Sequence, residues 1–249
     1  MVDRVLKHLA RPWDWLAEPL VLLRQCLSVR PDLRATLSQL EHFGYRSIGI
    51  VATAGLAVGG IVAVHTGGYV RDYSAGDLAG WAVGYATLRE IGPLLTGLLL
   101  AGRVGAMNAA ELADMKARDQ ILGLEALGLN PIPLVIGPRV WAAFCAGILL
   151  YSLAAICALT TAVVGVSLSG GLNLQPFLIS LHTGTPVAYL LIGQFKAGVF
   201  ALVVALWSTK EGLKASAGGA EVGRAVNNAA VGSAVGIVVA NFVLTLVLP

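Results

Sequence analysis

Three charged residues lie inside segments that are otherwise apolar. Arg89 and Glu90 interrupt the apolar run from Leu78 to Ala101, and Lys196 interrupts the run from Val187 to Trp207. A Lys or Arg at the centre of a membrane helix costs roughly 2.5 to 3.5 kcal/mol on insertion scales, so such residues usually face a cavity, a partner or an interface. These three are the first candidates for a functional site.

The spacing places the three charges at one depth, because each stands roughly ten residues from the predicted outer end of its segment. We predict that Glu90 and Lys196 pair across helices. Adjacent residues of an α-helix point about 100° apart, so Arg89 is not expected to neutralise Glu90 and is left to meet an anionic lipid headgroup. The alternative is that Arg89 and Glu90 lie at the outer interface while Lys196 extends toward it. Pro93 is expected to kink the second segment and open a lateral cleft for acyl chains.

The composition excludes an ordinary soluble domain. Of 249 residues, 57% are hydrophobic and 12% are charged, whereas soluble domains have about 25% charged residues. The low aromatic content argues against a porin-like barrel, and the dispersed basic residues argue against nucleic-acid binding. Cys26, Cys145 and Cys157 lack metal-ligand spacing, and Cys145 and Cys157, which share one apolar segment, are interpreted as packing residues. The chain is therefore predicted to be an all-α integral membrane protein.

Five apolar segments approach or exceed the roughly 20 residues that a bilayer-spanning helix needs. They are Ser47 to Thr66, Leu78 to Ala101, Val140 to Val166, Val187 to Trp207 and Val226 to Leu248. Between them, Gly67 to Asp77 is predicted to be a polar turn, and Ser167 to Thr185 a loop or a shallow helix.

The residues before the first span alternate charged and apolar side chains. Val2 to Leu40, with Trp13 and Trp15, is predicted to form an interfacial helix on the inner leaflet. The alternative is a cytosolic leader that packs on its own protein. A cleavable signal peptide is not expected, because no uninterrupted apolar core precedes a small-residue cleavage site.

The distribution of Lys and Arg predicts the orientation. Seven of the 17 precede Ser47, four lie from Arg103 to Arg139, and three lie from Lys210 to Arg224, whereas the predicted outer loops hold only Arg71. Because positive residues favour the cytoplasmic side, the N-terminus is predicted to be cytoplasmic and the C-terminus outside.

Gly102 to Pro138, here called the polar segment, is a charged stretch between apolar spans. Helix-forming residues predict one short helix from Ala109 to Arg118 and a second from Gln120 to Leu127. Asp119 is expected to cap the second helix.

Gly128 is expected to end the second helix, and Asn130-Pro131 to prevent it from resuming. Its stripe of Ile121, Leu124, Glu125 and Gly128 is mostly apolar, which predicts a partner protein.

The order of motifs along this segment resembles the signature of the MlaE/YrbE permeases, the membrane subunits of MCE-type ABC lipid transporters. The motifs are Gly102-Arg103-x-Gly105, Ala109-Ala110-Glu111, Met115-Lys116, Asp119-Gln120-Ile121, Leu127-Gly128, Asn130-Pro131 and Pro138-Arg139. The resemblance runs from about Gly44 to the C-terminus, and includes Leu88-Arg89-Glu90-x-Gly92-Pro93 and Val222-Gly223-Arg224-Ala225. The family commonly has Glu-Ile-Gly-Thr-Met where this chain has Glu111-Leu112-Ala113-Asp114-Met115.

The resemblance implies one permease domain, residues 1–249, with an N-terminal segment at 1–46 and a transmembrane bundle at 47–249. It implies five transmembrane helices, a cytoplasmic coupling helix between the second and third, and a bacterial inner-membrane location. It also implies a homodimer that works with ABC ATPase subunits and an MCE-domain lipid-binding protein to move phospholipid. ATP and Mg would be used by the ATPase, and this chain would hold no cofactor, metal or catalytic residue.

The residues expected to serve these roles form two groups. The lipid cavity would be lined by Arg89, Glu90, Pro93 and Lys196. Contact with the ATPase would involve Glu111, Met115, Lys116, Asp119, Gln120, Leu124, Glu125, Leu127, Gly128 and Pro131.

Two other classes of function remain open at this point. No GxxxxGK[ST] motif and no serine-protease motif occurs in the chain, so neither nucleotide hydrolysis nor proteolysis is expected of it. A non-enzymatic membrane scaffold would tolerate neutral residues in place of Arg89 and Lys196. An integral lipid-modifying enzyme would be catalytically active as a purified single chain.

Overall fold

The computed structural model describes residues 19, 21–26, 32–73, 78–168, 174–216 and 218–248. These residues are almost entirely helical, and no strand occurs among them. The all-α prediction is therefore confirmed for the described part of the chain. A helix satisfies its own backbone N–H and C=O groups, which is why so apolar a chain folds in this way.

Ten α-helices lie within the described residues from position 33 onward. They are α1 (Leu33–Gly44), α2 (Ile48–Tyr73), α3 (Ala79–Gly84), α4 (Gly92–Leu100), α5 (Ala106–Ala117), α6 (Gln120–Ala126), α7 (Gly137–Leu168), α8 (Leu174–Gly184), α9 (Val187–Lys214) and α10 (Gly219–Val247). A 3-10 turn, Tyr45–Ser47, joins α1 to α2. Three π-helical turns occupy Tyr85–Ile91, Ala101–Gly105 and Ile132–Ile136.

Four helical stretches among the described residues are long and apolar enough to cross a membrane: Leu33–Gly68, Ile132–Leu168, Val187–Lys214 and Gly219–Val247. Each overlaps one predicted span. The remaining predicted span, Leu78 to Ala101, is helical but is not among the four. Arg89 and Glu90 lower its hydropathy.

Two connections differ from the predicted turns and loops. The prediction of a polar turn from Gly67 to Asp77 was wrong for residues 67–73, because α2 continues to Tyr73. Apart from Gly67 and Gly68, no Gly or Pro interrupts the helix in this stretch. In the second connection α8 forms, in agreement with the shallow-helix alternative.

Most of the N-terminal segment predicted to be interfacial lies outside the described residues. This includes Trp13 and Trp15. The described part from Leu33 onward is helical and runs into the first apolar stretch.

The chain divides into two compact units. The first comprises Met1–Phe43, Leu100–Cys145 and Ala201–Ile237, and the second comprises Gly44–Leu99, Ala146–Phe200 and Val238–Pro249. Small residues dominate their cores. One cluster of the second unit contains Ala63, Ala79, Val83, Ala162, Val166 and Phe177, and one cluster of the first contains Ala113, Ala215 and Ala225.

Close helix packing in the second unit depends on glycine. A Cβ at Gly59 would overlap the backbone carbonyl of Ala158, and one at Gly55 would lie 2.7 Å from the carbonyl oxygen of Ala154. The Gly55-x-x-x-Gly59 pattern therefore marks a contact between α2 and α7, as small residues do in membrane helix pairs.

We expect Gly59→Ala to lower the stability of the purified chain by about 1 to 3 kcal/mol, because the added methyl group forces α2 away from α7. Thermal unfolding in detergent measures the change. Gly49→Ala in the same helix is the matched control, since a Cβ there meets no atom within 4 Å. An equal loss of stability in both variants would contradict this packing.

Candidate functional site

The Lys196 ammonium is held inside the second unit by oxygen atoms of three residues, two in the π-helical turn at Tyr85–Ile91 and one in α10. Its Nζ donates to Glu90 Oε1 and Oε2 at 2.8 and 2.9 Å, to Thr245 Oγ1 at 3.0 Å and to the Arg89 carbonyl at 3.3 Å. Lys196 has 0% exposure. The predicted pairing of Glu90 with Lys196 is confirmed by these distances. A buried ammonium ion is tolerated in an apolar bundle only when it is fully hydrogen-bonded.

Thr245 is a member of this cluster that the sequence analysis missed. Besides accepting from Lys196, its hydroxyl lies 3.1 Å from Glu90 Oε2. It stands near the end of α10, and no motif around it distinguishes it from the other hydroxyl residues of the chain.

Arg89 is not left free, contrary to the prediction. Its Nη2 donates to the Leu248 carbonyl at 2.6 Å, and its Nε lies 3.6 Å from Glu90 Oε1. Its guanidinium carbon also lies 5.3 and 5.5 Å from the ring centroids of Tyr85 and Tyr189, within the range of cation–π attraction. The prediction was wrong because it assumed α-helical geometry, whereas Arg89 and Glu90 lie in a π-helical turn.

The π-helical turn that carries Arg89 and Glu90 is supported from two neighbouring helices. The Tyr151 hydroxyl donates to the Leu88 carbonyl at 2.6 Å, which satisfies a backbone group inside the apolar core. Gly193 lies so close to this carbonyl and hydroxyl that a Cβ would overlap both. The absence of a side chain at Gly193 lets α9 approach the turn and bring Lys196 within reach of Glu90.

Pro93 is the second residue of α4 and is buried directly after this π-helical turn. A proline donates no backbone hydrogen bond, so it suits a position where the hydrogen-bond pattern changes from π to α. The lateral cleft that we predicted beside it stays a prediction.

The polar segment forms the two short helices predicted for it, as α5 and α6. Asp119 separates them in the left-handed conformation, with φ of 55°, and makes no side-chain capping hydrogen bond. Asp119 is thus the N-cap residue of α6, as predicted, but its carbonyl and not its side chain accepts a hydrogen bond, from the Gly123 N–H at 2.8 Å. Its N–H donates to the Lys116 carbonyl at 3.0 Å, so Asp119 ends α5 through its backbone.

Gly128 ends α6 as predicted. It has a φ of 73°, and the N–H groups of Gly128 and Leu129 donate to the carbonyls of Glu125 and Leu124. This is a Schellman motif, which favours glycine at its left-handed position. Asn130 then accepts from the Ile132 N–H, and Pro131 begins the next helix, so Asn130-Pro131 starts a helix rather than only blocking one.

The exposed leucines of this region are not those of the predicted apolar stripe. Ile121 is buried in the chain itself, and Leu124 is half-buried. Leu122 and Leu127 are instead 61% and 76% exposed, and Leu129 is 47% exposed. The region does present apolar side chains, but Ile121 of the predicted stripe is buried within the chain.

Several residues expected to touch a partner make contacts within the first unit. Glu111 Oε2 accepts from Arg139 Nη1 at 2.6 Å, and Glu111 Oε1 lies 3.1 Å from His42 Nε2. Met115 Sδ lies 3.8 Å from Arg139 Nη2, and Lys116 donates to the Leu213 carbonyl. Asp119 and Gln120 are exposed, Glu125 is half-buried, and Pro131 is buried.

Neither a cluster of metal ligands nor an activated Cys26 thiol occurs among the described residues. No three His, Cys, Asp or Glu side chains among them come close enough to hold a metal ion. Burial raises the pKa of the Cys26 thiol to about 11, so this thiol is protonated at neutral pH.

The chain is similar to proteins of several organisms, two of which are named as permeases. It is 33% identical over 224 residues to a probable ABC transporter permease protein of Rickettsia felis, covering 87% of this chain and 85% of the relative. It is 31% identical over 185 residues to the intermembrane phospholipid transport system permease protein MlaE of Haemophilus influenzae, covering 72% and 69%. It is 28% identical over 239 residues to the chloroplastic protein TRIGALACTOSYLDIACYLGLYCEROL 1 of Arabidopsis thaliana, covering 94% and 67%.

The family profile described as Permease MlaE matches residues 36–247, which include both the buried Glu90–Lys196 cluster and the polar segment. With its apolar helices and its matching relatives, this chain is a multi-pass membrane protein that belongs to the MlaE permease family.

Proposed function

We propose that this chain is the membrane subunit of an ATP-driven transporter that moves phospholipid between the membrane and an external carrier. The observation that carries the proposal is the family match over residues 36–247, together with a Haemophilus relative named for intermembrane phospholipid transport. The carrier would be an MCE-domain lipid-binding protein. ATP and Mg would be used by a separate ABC ATPase, and this chain would supply no catalytic residue.

The proposed arrangement in the bacterial inner membrane has five spans and a cytoplasmic N-terminus. Four of these spans are the long apolar helices described above, and the remaining one, second along the chain, is the helical stretch from Leu78 to Ala101. In this stretch Arg89 and Glu90 are paired within the chain. Internal pairing lowers the cost of placing these charges in a bilayer, which supports counting the stretch as a span. The N-terminal residues would lie on the inner leaflet as an interfacial helix, and the C-terminus would lie outside.

The proposed cargo site is built around Arg89, Glu90, Pro93 and Lys196. The Glu90 side chain keeps 23% exposure although Lys196 has none, so part of the pair lies at a surface that a headgroup can approach. A surface of this kind offers a polar headgroup a fixed partner while the surrounding apolar helices accommodate acyl chains. Because ionised residues in membrane segments are expensive, they usually mark the path of a substrate.

The proposed contact with the ATPase is the polar segment. Its contact set is Glu111, Met115, Lys116, Asp119, Gln120, Leu124, Glu125, Leu127, Gly128 and Pro131. The exposure of Leu127 beside α6 supports this role, since interfaces are built around apolar anchors that a partner desolvates.

The proposed working unit is a homodimer of this chain with two ATPase subunits. Closure of the ATPases on ATP would move the polar segments as rigid bodies, and the attached membrane helices would reshape the lipid cavity.

Exchanging the two charges tests the cargo site. Glu90→Lys and Lys196→Glu each leave two like charges in an apolar bundle, and breaking a buried pair costs about 3 to 5 kcal/mol. We expect each single variant to lower lipid transfer in proteoliposomes at least about tenfold, and the double exchange to recover a large part of it. A double variant no better than the single variants would contradict a role for the pair, and normal transfer in all three would favour the scaffold.

The ATPase contact is tested by placing a charge directly after α6, at its C-cap residue Leu127. We expect Leu127→Asp to weaken co-purification of the ATPase in mild detergent by about tenfold, because it puts a carboxylate into an apolar anchor position. Leu122→Asp is the matched control, since Leu122 is exposed on α6 itself and is outside the predicted contact set. Equal ATPase recovery with the parent and Leu127→Asp would contradict the assignment. Absence of any ATPase from the parent preparation would contradict the proposed function itself.

A further inference from the structure

Arg139 directly follows the polar segment and contacts α5, the first of the two helices within it. It is the third residue of α7 and is only 7% exposed. Its Nη1 donates to Glu111 Oε2 at 2.6 Å and to Asn108 Oδ1 at 3.1 Å, and its Nη2 lies 3.8 Å from Met115 Sδ. All three partners lie on α5, at intervals of three and four residues that place them on one face of the helix.

These contacts close a loop in the chain. Glu111 and Arg139 are 28 residues apart in sequence, and α6 lies between them. Glu111 stands before α6 and Arg139 after it, so a movement of α6 reaches the rest of the first unit through two connections. The Arg139–Glu111 pair fixes these two connections to each other.

The same network extends to two more helices of the first unit. Asn108 Nδ2 donates to Ser208 Oγ at 2.8 Å and lies 3.3 Å from Thr209 Oγ1, both on α9 and both fully buried. His42 of α1 lies 3.1 Å from Glu111 Oε1. Hydrogen bonds therefore connect residues of α1, α5, α7 and α9 through the side chains of Asn108 and Glu111.

The environment distinguishes Arg139 from an ordinary surface arginine. Arg118 and Asp114, also in the polar segment, form an ion pair whose side chains are 68% and 54% exposed. Such pairs contribute little to stability, whereas a buried arginine that loses its carboxylate leaves an uncompensated charge. The contacts of Arg139 therefore constrain the segment more strongly than the Arg118–Asp114 pair does.

We propose that Arg139 is a positioning residue that makes α5 and α6 move as one body with the beginning of α7. This inference rests on the proposed function, in which the ATPase moves the polar segment. With the pair intact, displacement of α6 is delivered to the membrane helices. Without it, α5 and α6 move relative to the beginning of α7, and less lipid is transferred per ATP hydrolysed.

The first measurement concerns the purified chain in detergent and needs no ATPase. We expect Arg139→Gln to speed amide hydrogen exchange in residues 106–127 by about tenfold, because local opening no longer breaks a buried ion pair. Arg118→Gln is the matched control and is expected to leave exchange in α5 unchanged, since the Arg118 side chain is mostly exposed. Unchanged exchange in Arg139→Gln would overturn the proposal.

The second measurement is the amount of lipid transferred per ATP hydrolysed in proteoliposomes that hold the complete transporter. We expect Arg139→Gln to lower this ratio by about threefold to tenfold while ATP hydrolysis per folded complex stays within about twofold. Arg139→Lys keeps a positive charge and is expected to restore at least about half of the ratio. If the glutamine protein does not fold, Arg139→Lys takes its place, and a transfer ratio and an exchange rate both equal to those of the parent would then overturn the proposal.

The outcomes separate the two proposals. A purely structural role would lower folded yield, hydrolysis and transfer in proportion, so an unchanged ratio with faster exchange would overturn the positioning role. A parent complex without ATP-dependent transfer would contradict the proposed function, while the exchange measurement would still decide whether Arg139 holds the segment together.

Discussion

The fold of the second unit depends on the neutralisation of one ammonium group. Lys196 has no exposed surface, so every proton of its Nζ must find an oxygen within the chain. Glu90, Thr245 and the Arg89 carbonyl supply those oxygens from the π-helical turn and from α10. This requirement fixes how α9, α10 and the π-helical turn approach one another, because a shift of any one would leave a charge unpaired in an apolar surrounding.

Small residues make that approach possible. Because Gly193 has no side chain, the Leu88 carbonyl and the Tyr151 hydroxyl pack against the surface of α9. In the same way, Gly59 lets the Ala158 carbonyl pack against α2. In lipid, apolar burial gives little preference for one helix contact over another, so close backbone contact and internal hydrogen bonds determine the packing. The composition of the chain, rich in glycine and poor in charge, is consistent with this way of packing.

The sequence predicted those features that depend on local chemistry or on segment length. Depth along two helices was enough to pair Glu90 with Lys196, and the conformational freedom of Gly128 was enough to end α6. Arg89 was misplaced because π-helical hydrogen bonding leaves no sign in hydrophobic periodicity. The contacts of Arg139 and Thr245 join residues 24 to 155 positions apart, and no pattern in a single sequence reveals such pairs.

The position of Thr245 and Leu248 late in the chain affects how the protein is made. Glu90 and Lys196 leave the ribosome well before α10, yet α10 contributes the hydroxyl of Thr245 to their pair and Leu248 supplies the carbonyl that binds Arg89. A nascent chain that has emerged only as far as α9 therefore lacks the Thr245 hydroxyl beside the Glu90–Lys196 pair and the Leu248 carbonyl beside Arg89. The complete set of contacts can form only after α10 has been synthesised.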